Sequence, residues 1–212
     1  MATEIARRAY DSTGRRAQAH RNRDTILSAA RTRFLTEGYA ATTMASIAED
    51  AGLSIDTVHK AFRGKAGLVR AIYERSLGGE GAVTAPVRSD DLQQSETDPR
   101  LVIGGWGELA SEVAPLVVPI HLLVRDAAVT DSEMASLLLD SDAQRRDRMR
   151  HNARTLADRG QLKPGLSIEG ATDVMWTYSA PEMYDLLVIR CGWSAERYGR
   201  FVGESLTAAL LA

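Results

Sequence analysis

The sequence predicts an all-α chain, with an N-terminal three-helix domain containing a helix-turn-helix followed by a larger helical domain. Three observations carry this. Apolar residues recur at i, i+3 and i+4 along most of the chain. The periodic runs open on Ser, Thr or Asp and close on Gly, where helix caps belong. Alternating β-branched runs are few, and the sequence has no Asn-Gly or Asp-Gly hairpin turn.

Taken in order, the first helix opens after Asn22 with Asp24 in its first turn; Ile26, Ala30 and Phe34 follow at four-residue intervals and Gly38 stops it. Thr42 and Thr43 stand where an N-cap belongs, and Met44, Ile47 and Ala51 share one face of a short second helix that Gly52 ends. Ser54 caps a third helix, with Ile55, Val58 and Phe62 along one side and Asp56, Thr57, His59 and Lys60 largely on the others. A fourth runs from Lys65 through Leu68, Val69, Ile72 and Tyr73 to Leu77, before Gly78 and Gly79. From Gly78 to Asp98 the composition turns to Gly, Ser, Gln and acidic residues, which reads as a loop of about twenty residues.

Asp98 and Pro99 then open a helix through Trp106 and Leu109. A further apolar segment covers Val113 to Ala128, where Pro115 and Pro119 should bend or interrupt the helix. Thr130 with Glu133 has capping-box spacing and launches a long helix through Met134, Leu138, Met149 and Leu156 to Gly160. Ser167 caps the next, which carries Val174, Met175 and Trp176; Ser179 with Glu182 repeats the capping-box spacing around Pro181. After Ser194, the residues Tyr198, Phe201, Val202, Ser205, Leu206, Ala209 and Leu210 form a stripe that lasts to the end. Eight or nine helices are expected.

Composition narrows the function. With 44% hydrophobic and 25% charged residues in 212, the chain can build a packed core and is too short for a large multidomain machine. The single cysteine, Cys191, cannot pair internally, and His20, His59, His121 and His151 lack short metal-ligand spacing, so neither a metal nor another cofactor is expected. Val113 to Val124, the longest uncharged apolar stretch, is shorter than the roughly 20 residues of a membrane span, and the N-terminus lacks the apolar core of a secretory signal. The reading is a cytoplasmic protein with no membrane partner.

Charge is split along the chain. Residues 1–70 hold 12 Lys and Arg against 7 Asp and Glu, while residues 71–212 hold 14 against 21. A net of +5 beside a net of −7 places any polyanion contact in the first third. The chain is accordingly divided into a flexible basic arm at 1–21, a basic helical domain at 22–70 and a larger acidic helical domain at 71–212. Arg7, Arg8, Arg15, Arg16, Arg21 and Arg23 show no helical stripe and read equally as a disordered tail or as an arm that tracks DNA.

The second and third helices, joined by a few residues including Gly52, have the form of a helix-turn-helix, whose second member can enter a major groove about 12 Å wide. The run from Gly38 and Tyr39 through Thr42, Thr43, Ile47, Ala48, Ala51, Gly52, Leu53 and Ser54, followed by Thr57, Val58, Phe62, Lys65 and Leu68, resembles the DNA-binding domain of TetR-family transcriptional regulators over about residues 22–75. That resemblance implies a dimeric regulator, a repressor, that binds a palindromic double-stranded operator, with residues 22–70 as its DNA-binding domain and residues 71–212 as its effector-binding and dimerisation domain. It implies that Thr42 and Thr43 meet backbone phosphate, that Ser54, Ile55, Asp56, Thr57 and His59 lie in or beside the groove, that Lys60 points to phosphate or base edges, and that Lys65 holds phosphate at a helix N-terminus. Two positions depart from the family pattern: His59 where tyrosine is common, and Ala61 where an aromatic residue or histidine is common. Asp56 is an unusual groove residue unless it accepts from a cytosine amino group. For Thr43 and Ser54 helix capping is compatible with phosphate contact, whereas Val58 and Phe62 read as core.

Two recognition helices one DNA turn apart require a two-fold homodimer. The family pairs its last two helices in a four-helix bundle, which assigns Tyr184, Leu187, Tyr198, Phe201, Val202, Leu206 and Leu210 to the interface, although part of the stripe must face its own core. The middle helices are where the family builds a small-molecule effector cavity, and Trp106, His121, Met149, Trp176 and Tyr178 supply the apolar bulk with polar handles that such a pocket needs. His121 and Arg125 lie four apart and would orient a polar group together, unless Arg125 pairs with a carboxylate. Effector binding is expected to release the operator. Against this stand a DNA-binding dimer without effector, its C-terminal bundle serving as scaffold or docking surface, and an enzyme, for which no triad, P-loop or dinucleotide fingerprint is present.

Overall fold

The computed structural model describes residues 2–79 and 83–212, with side chains from Gly14 onward; the side chains of Arg7 and Arg8 lie outside the described residues. All described regular structure is helical. The chain divides into two compact units, Met1–Ile72 and Tyr73–Ala212.

The first unit holds α1 (Ala2–Ala41), α2 (Met44–Asp50), α3 (Ile55–Phe62) and the start of α4 (Lys65–Leu77). Helix α1 begins at Ala2 instead of after Asn22, so the basic segment continues it. Its regular course breaks at Gly38, whose φ of 82° only glycine adopts readily. Ile26, Leu27, Ala30 and Phe34 of α1, Ile47 and Ala48 of α2, Val58 and Phe62 of α3, and Leu68 and Val69 of α4 are buried. The caps are local and complete. Thr43 Oγ1 accepts from the Ser46 amide at 3.0 Å while Ser46 Oγ accepts from the Thr43 amide at 3.2 Å, and Ser54 Oγ accepts from the Thr57 amide at 3.2 Å.

The second unit holds the rest of α4, then α5 (Ala85–Ser95), α6 (Pro99–Ala127), α7 (Ser132–Asp158), α8 (Ile168–Tyr178), α9 (Pro181–Tyr184) with a π-helical turn over Asp185–Arg190, and α10 (Ala195–Leu210). Four expectations are corrected here. The segment read as a twenty-residue loop contains α5, whose buried face is Ala85, Ser89 and Gln93, a period-four stripe too polar for hydrophobic periodicity to register. The two segments expected around Pro115 and Pro119 are one helix, α6, although each proline denies an earlier carbonyl its usual i+4 donor. Asp131, not Thr130, caps α7, accepting from the amides of Glu133 at 2.9 Å and Met134 at 3.1 Å. Ser179 closes α8 and caps nothing after it; Ala180 stands at the start of α9 without a side-chain cap.

As one 29-residue helix, α6 is long and apolar enough to cross a bilayer, which its apolar core stretch read alone was not. Its apolarity has a use inside the unit: Val102, Ile103, Val117, Val118, Ile120 and Val124 are buried. It makes the most extensive contact with α10, through glycines. A Cβ on Gly199 would strike the Gly107 carbonyl, and one on Gly203 would meet the Ile103 carbonyl and Gly104. Around this crossing Trp106, Leu156, Met175, Tyr184, Tyr198, Val202, Leu206 and Leu210 form the core.

Gly199→Ala should therefore force α6 and α10 apart. The expected loss is about 1–3 kcal/mol, a drop in Tm of roughly 2–10 °C by circular dichroism; an unchanged Tm would mean that the crossing yields freely.

Candidate functional site

In the first unit the outward surface of α3 consists of Ile55, Asp56, His59, Lys60 and Ala61, all exposed, with exposed Ser54 before them and half-buried Thr57 among them. Thr57 and Ser54 share a hydroxyl–hydroxyl bond of 2.8 Å. Val58 and Phe62 face the core, and Arg23 stacks on the Phe62 ring at 4.5 Å. Of the two threonines assigned to phosphate, Thr43 is exposed at the start of α2. Thr42 is not available: it is fully buried and its Oγ1 donates to the Gly38 carbonyl at 2.8 Å. Lys65 is half-buried, donates from Nζ to the Tyr39 carbonyl at 2.8 Å and lies 4.4 Å from the Tyr39 ring centre, so it ties α4 to the end of α1. Arg33 bridges α1 to α2 through Asp50, and their hydrogen bond holds the Asp50 carboxyl below its ordinary pKa.

The second unit contains a cavity of about 430 Å³, open to solvent on one side and inside the usual range for small-molecule sites. Helix α6 supplies an apolar wall that includes Trp106, Leu109, Val113, Val117 and His121. Tyr198, Val202 and Leu206 of α10 continue it. Tyr73 and Leu77 of α4 enter the wall, as do Ala85, Pro86 and Ser89 of α5. Helix α7 presents a different surface: Ser141, Gln144, Arg145, Arg148 and Asn152, with Met149 among them, follow helical spacing down one side of the cavity.

The polar wall is tied to its surroundings. Arg145 donates from Nη1 to the Trp176 carbonyl at 2.7 Å and to Ser179 Oγ at 3.1 Å, and from Nη2 to Asp142 at 3.4 Å. Arg148 Nη2 donates to Asp90 at 2.6 Å and Ser89 Oγ at 2.8 Å, which pulls the Asp90 carboxyl below its ordinary pKa. His121 is 3% exposed, with Nε2 3.9 Å from Asp142; desolvation lowers its pKa and outweighs the attraction of that carboxylate. Burial raises the Tyr73 phenol and pushes Tyr198 up to about 12.

Of the expected effector residues, Trp106, His121 and Met149 meet at this cavity. Arg125, Trp176 and Tyr178 do not. Arg125 pairs with Glu182 at 3.3 Å and Asp126 at 3.6 Å. Trp176 lies beneath the guanidiniums of Arg145 and Arg146, 4.8 and 5.5 Å from the ring centre. Tyr178 packs edge-on against Phe201, and its carbonyl accepts from the Tyr198 hydroxyl at 3.4 Å. The sequence reading missed Tyr73, Arg145 and Arg148; the arginines sit in a charged run that looks like a solvated helix face. The expected interface residues are corrected too: Tyr184, Tyr198, Val202, Leu206 and Leu210 are buried by their own chain, leaving only Leu187 and Phe201 half-buried.

Comparison with known proteins identifies the first unit. Residues 26–72 match the family model of bacterial regulatory proteins of the tetR family. No curated protein sequence is significantly similar to the chain. Among solved structures, NalD, the secondary repressor of the MexAB-OprM multidrug efflux pump in Pseudomonas aeruginosa, is 17% identical over 92% of this chain and 98% of its own, with a TM-score of 0.72. SmeT in complex with triclosan is 21% identical over 90% and 92%, with a TM-score of 0.68; SmeT represses the Stenotrophomonas maltophilia efflux pump SmeDEF. A transcriptional regulator from Saccharomonospora viridis in complex with choline is 17% identical over 90% and 97%, with a TM-score of 0.65. Residues 26–72 thus carry the sequence pattern of the tetR family of bacterial regulatory proteins, and the chain as a whole has the fold of NalD and SmeT.

His121 makes stability depend on pH. Its folded-state pKa is depressed, so as pH falls through the unfolded value near 6.5 the unfolded chain takes up the proton first and stability declines. The decline ends once the folded pKa is passed. Urea unfolding from about pH 7.5 to about pH 5 should show a steeper fall for the wild type than for His121→Gln, by at most about 1.4 kcal/mol per pH unit; parallel curves would contradict the desolvation of His121.

Proposed function

We propose that the chain is a transcriptional repressor that binds an inverted-repeat operator as a homodimer and leaves it when a small molecule occupies the cavity of the second unit. The observation that carries this reading is the cavity itself, walled in part by Tyr73 and Leu77 of α4, the helix whose first residue, Lys65, is tied to the DNA-binding unit. A bundle serving only as scaffold has no need of an apolar cavity with a polar stripe. The repressor sense is supported by the likeness to NalD and SmeT, and a small-molecule effector by the triclosan and choline complexes of similar folds.

On this reading His59 and Lys60 read the operator from the exposed surface of α3, with Ser54, Ile55, Asp56 and Thr57 beside them and Thr43 at phosphate. Lys65 contributes by holding α4 to Tyr39 and Thr42 by closing the turn after α1. The dimer contact falls on apolar side chains that the core leaves over: Leu187 and Phe201, together with Leu186 and Ile189 of the π-helical turn, which are 51% and 52% exposed. The proposed location is the cytoplasm.

Selection from random duplex DNA should return an inverted repeat, and His59→Ala and Lys60→Ala should each weaken binding to it by about tenfold in gel shifts at physiological salt. Unchanged affinity would reject α3 as the reading surface. Sedimentation should show a dimer that Leu186→Glu with Ile189→Glu shifts toward monomer, because two carboxylates would lose water on association. A variant pair that remains dimeric would move the contact elsewhere.

A further inference from the structure

The cavity has the chemistry to choose among ligands by their head groups. Its walls are unlike: α6 and α10 are almost wholly apolar, whereas α7 brings Arg145 and Arg148 to the same space. Among the described residues, no aspartate or glutamate lines it. The carboxylates that pair with the arginines, Asp142 and Asp90, stand outside the wall, so the cavity meets the positive end of each pair.

Hydrogen-bonding capacity has the same bias. The described bonds of Arg148 both leave from Nη2. Arg145 Nε and the indole Nε1 of Trp106 are buried without a partner, and Trp106 is only 7% exposed. Three of the oxygens nearby are engaged: Ser141 Oγ donates to the Leu138 carbonyl, Ser89 Oγ accepts from Arg148, and Asn152 Oδ1 accepts from Gln93. The wall thus offers guanidinium donors whose paired carboxylates stand behind them, and a cation entering it would leave water without gaining a described carboxylate.

Resting on the proposed effector role, we propose that the ligand is an amphiphile with an apolar body against α6 and α10 and an anionic, acceptor-only head of the monocarboxylate class held by Arg145 and Arg148. The contact is reversible and involves no covalent step.

Three probes with one tail and different heads test this: decanoate, 1-decanol and decyltrimethylammonium, titrated below their micelle concentrations into the full-length protein by calorimetry. Decanoate should bind at least about tenfold more tightly than either of the others, the usual worth of a charge-assisted hydrogen bond. Arg148→Gln should weaken decanoate at least about tenfold more than it weakens 1-decanol, with circular dichroism reporting that the variant is folded, and Arg148→Lys should restore part of the difference. Equal or tighter binding of the ammonium, or an equal loss for acid and alcohol in Arg148→Gln, overturns the head-group assignment and leaves the cavity as a ligand site. Binding of none of the three overturns the assignment and counts against the effector role as well.

Discussion

The second unit depends on how closely α6 and α10 approach. With no side chain at Gly107 or Gly199, the two backbones come near enough that a methyl added at either would collide with the other's carbonyl, while one at Gly203 would just touch α6. Close approach of this kind trades side-chain burial at the crossing for burial on either side of it. Tyr198, Val202, Leu206 and Leu210 are thereby drawn onto Val102, Ile103 and Trp106, and the same α10 residues become both core and cavity wall. This is why the stripe of α10 is not left for a partner. Tyr184 meets Tyr198 edge to face at 5.1 Å, and the dry environment of the pair raises both phenols.

A cavity of this size would ordinarily shrink, since apolar side chains gain contacts by filling it. Here its polar side is pinned. Helix α5 is fastened to α6 by the two-pronged Arg88–Glu112 pair at 2.7 Å and to α7 by Arg148 with Asp90, Gln93 with Asn152, and Arg159 with the Gln93 carbonyl. Closing the cavity would require these groups to leave partners that water could not easily replace. The result is a space held open by hydrogen bonds on one side and by the glycine crossing on the other.

The sequence was most legible where structure is local. Thr43, Ser54, Asp98, Ser167 and Ser194 each cap the helix expected of them, because a cap is a contact between residues two or three apart. It was least legible where structure is polar and distant. Helix α5 escaped notice because its buried face is Ala, Ser and Gln, whose partners lie on α6 and α7. Arg145 and Arg148 escaped because the run from Gln144 to Arg150 has the composition of a solvated face, and only the placement of α5 and α8 turns part of it inward. Trp106, His121 and Met149, chosen for their bulk where the family resemblance implies a pocket, line the cavity, but the same criteria admitted Trp176 and Tyr178, which belong to α8's contacts with the α7 arginines and with Phe201.

For a regulator with the proposed function, one helix has to carry the signal. Helix α4 has thirteen residues, a length of about 20 Å, and the boundary between the two units falls within it, between Ile72 and Tyr73. Its first residue is held by Tyr39 of the DNA-binding unit, while Tyr73 bonds to Ser141 of α7 at the cavity. A ligand can bias such a device only by the difference in its affinity for two placements of Tyr73 and Leu77, and moving an even equilibrium to a hundred to one takes about 2.7 kcal/mol of that difference. A head group fixed on α7 and a body reaching α4 would divide the labour accordingly. The arginines retain the ligand in either placement and contribute affinity, whereas the contacts with Tyr73 and Leu77 differ between placements and contribute the switch.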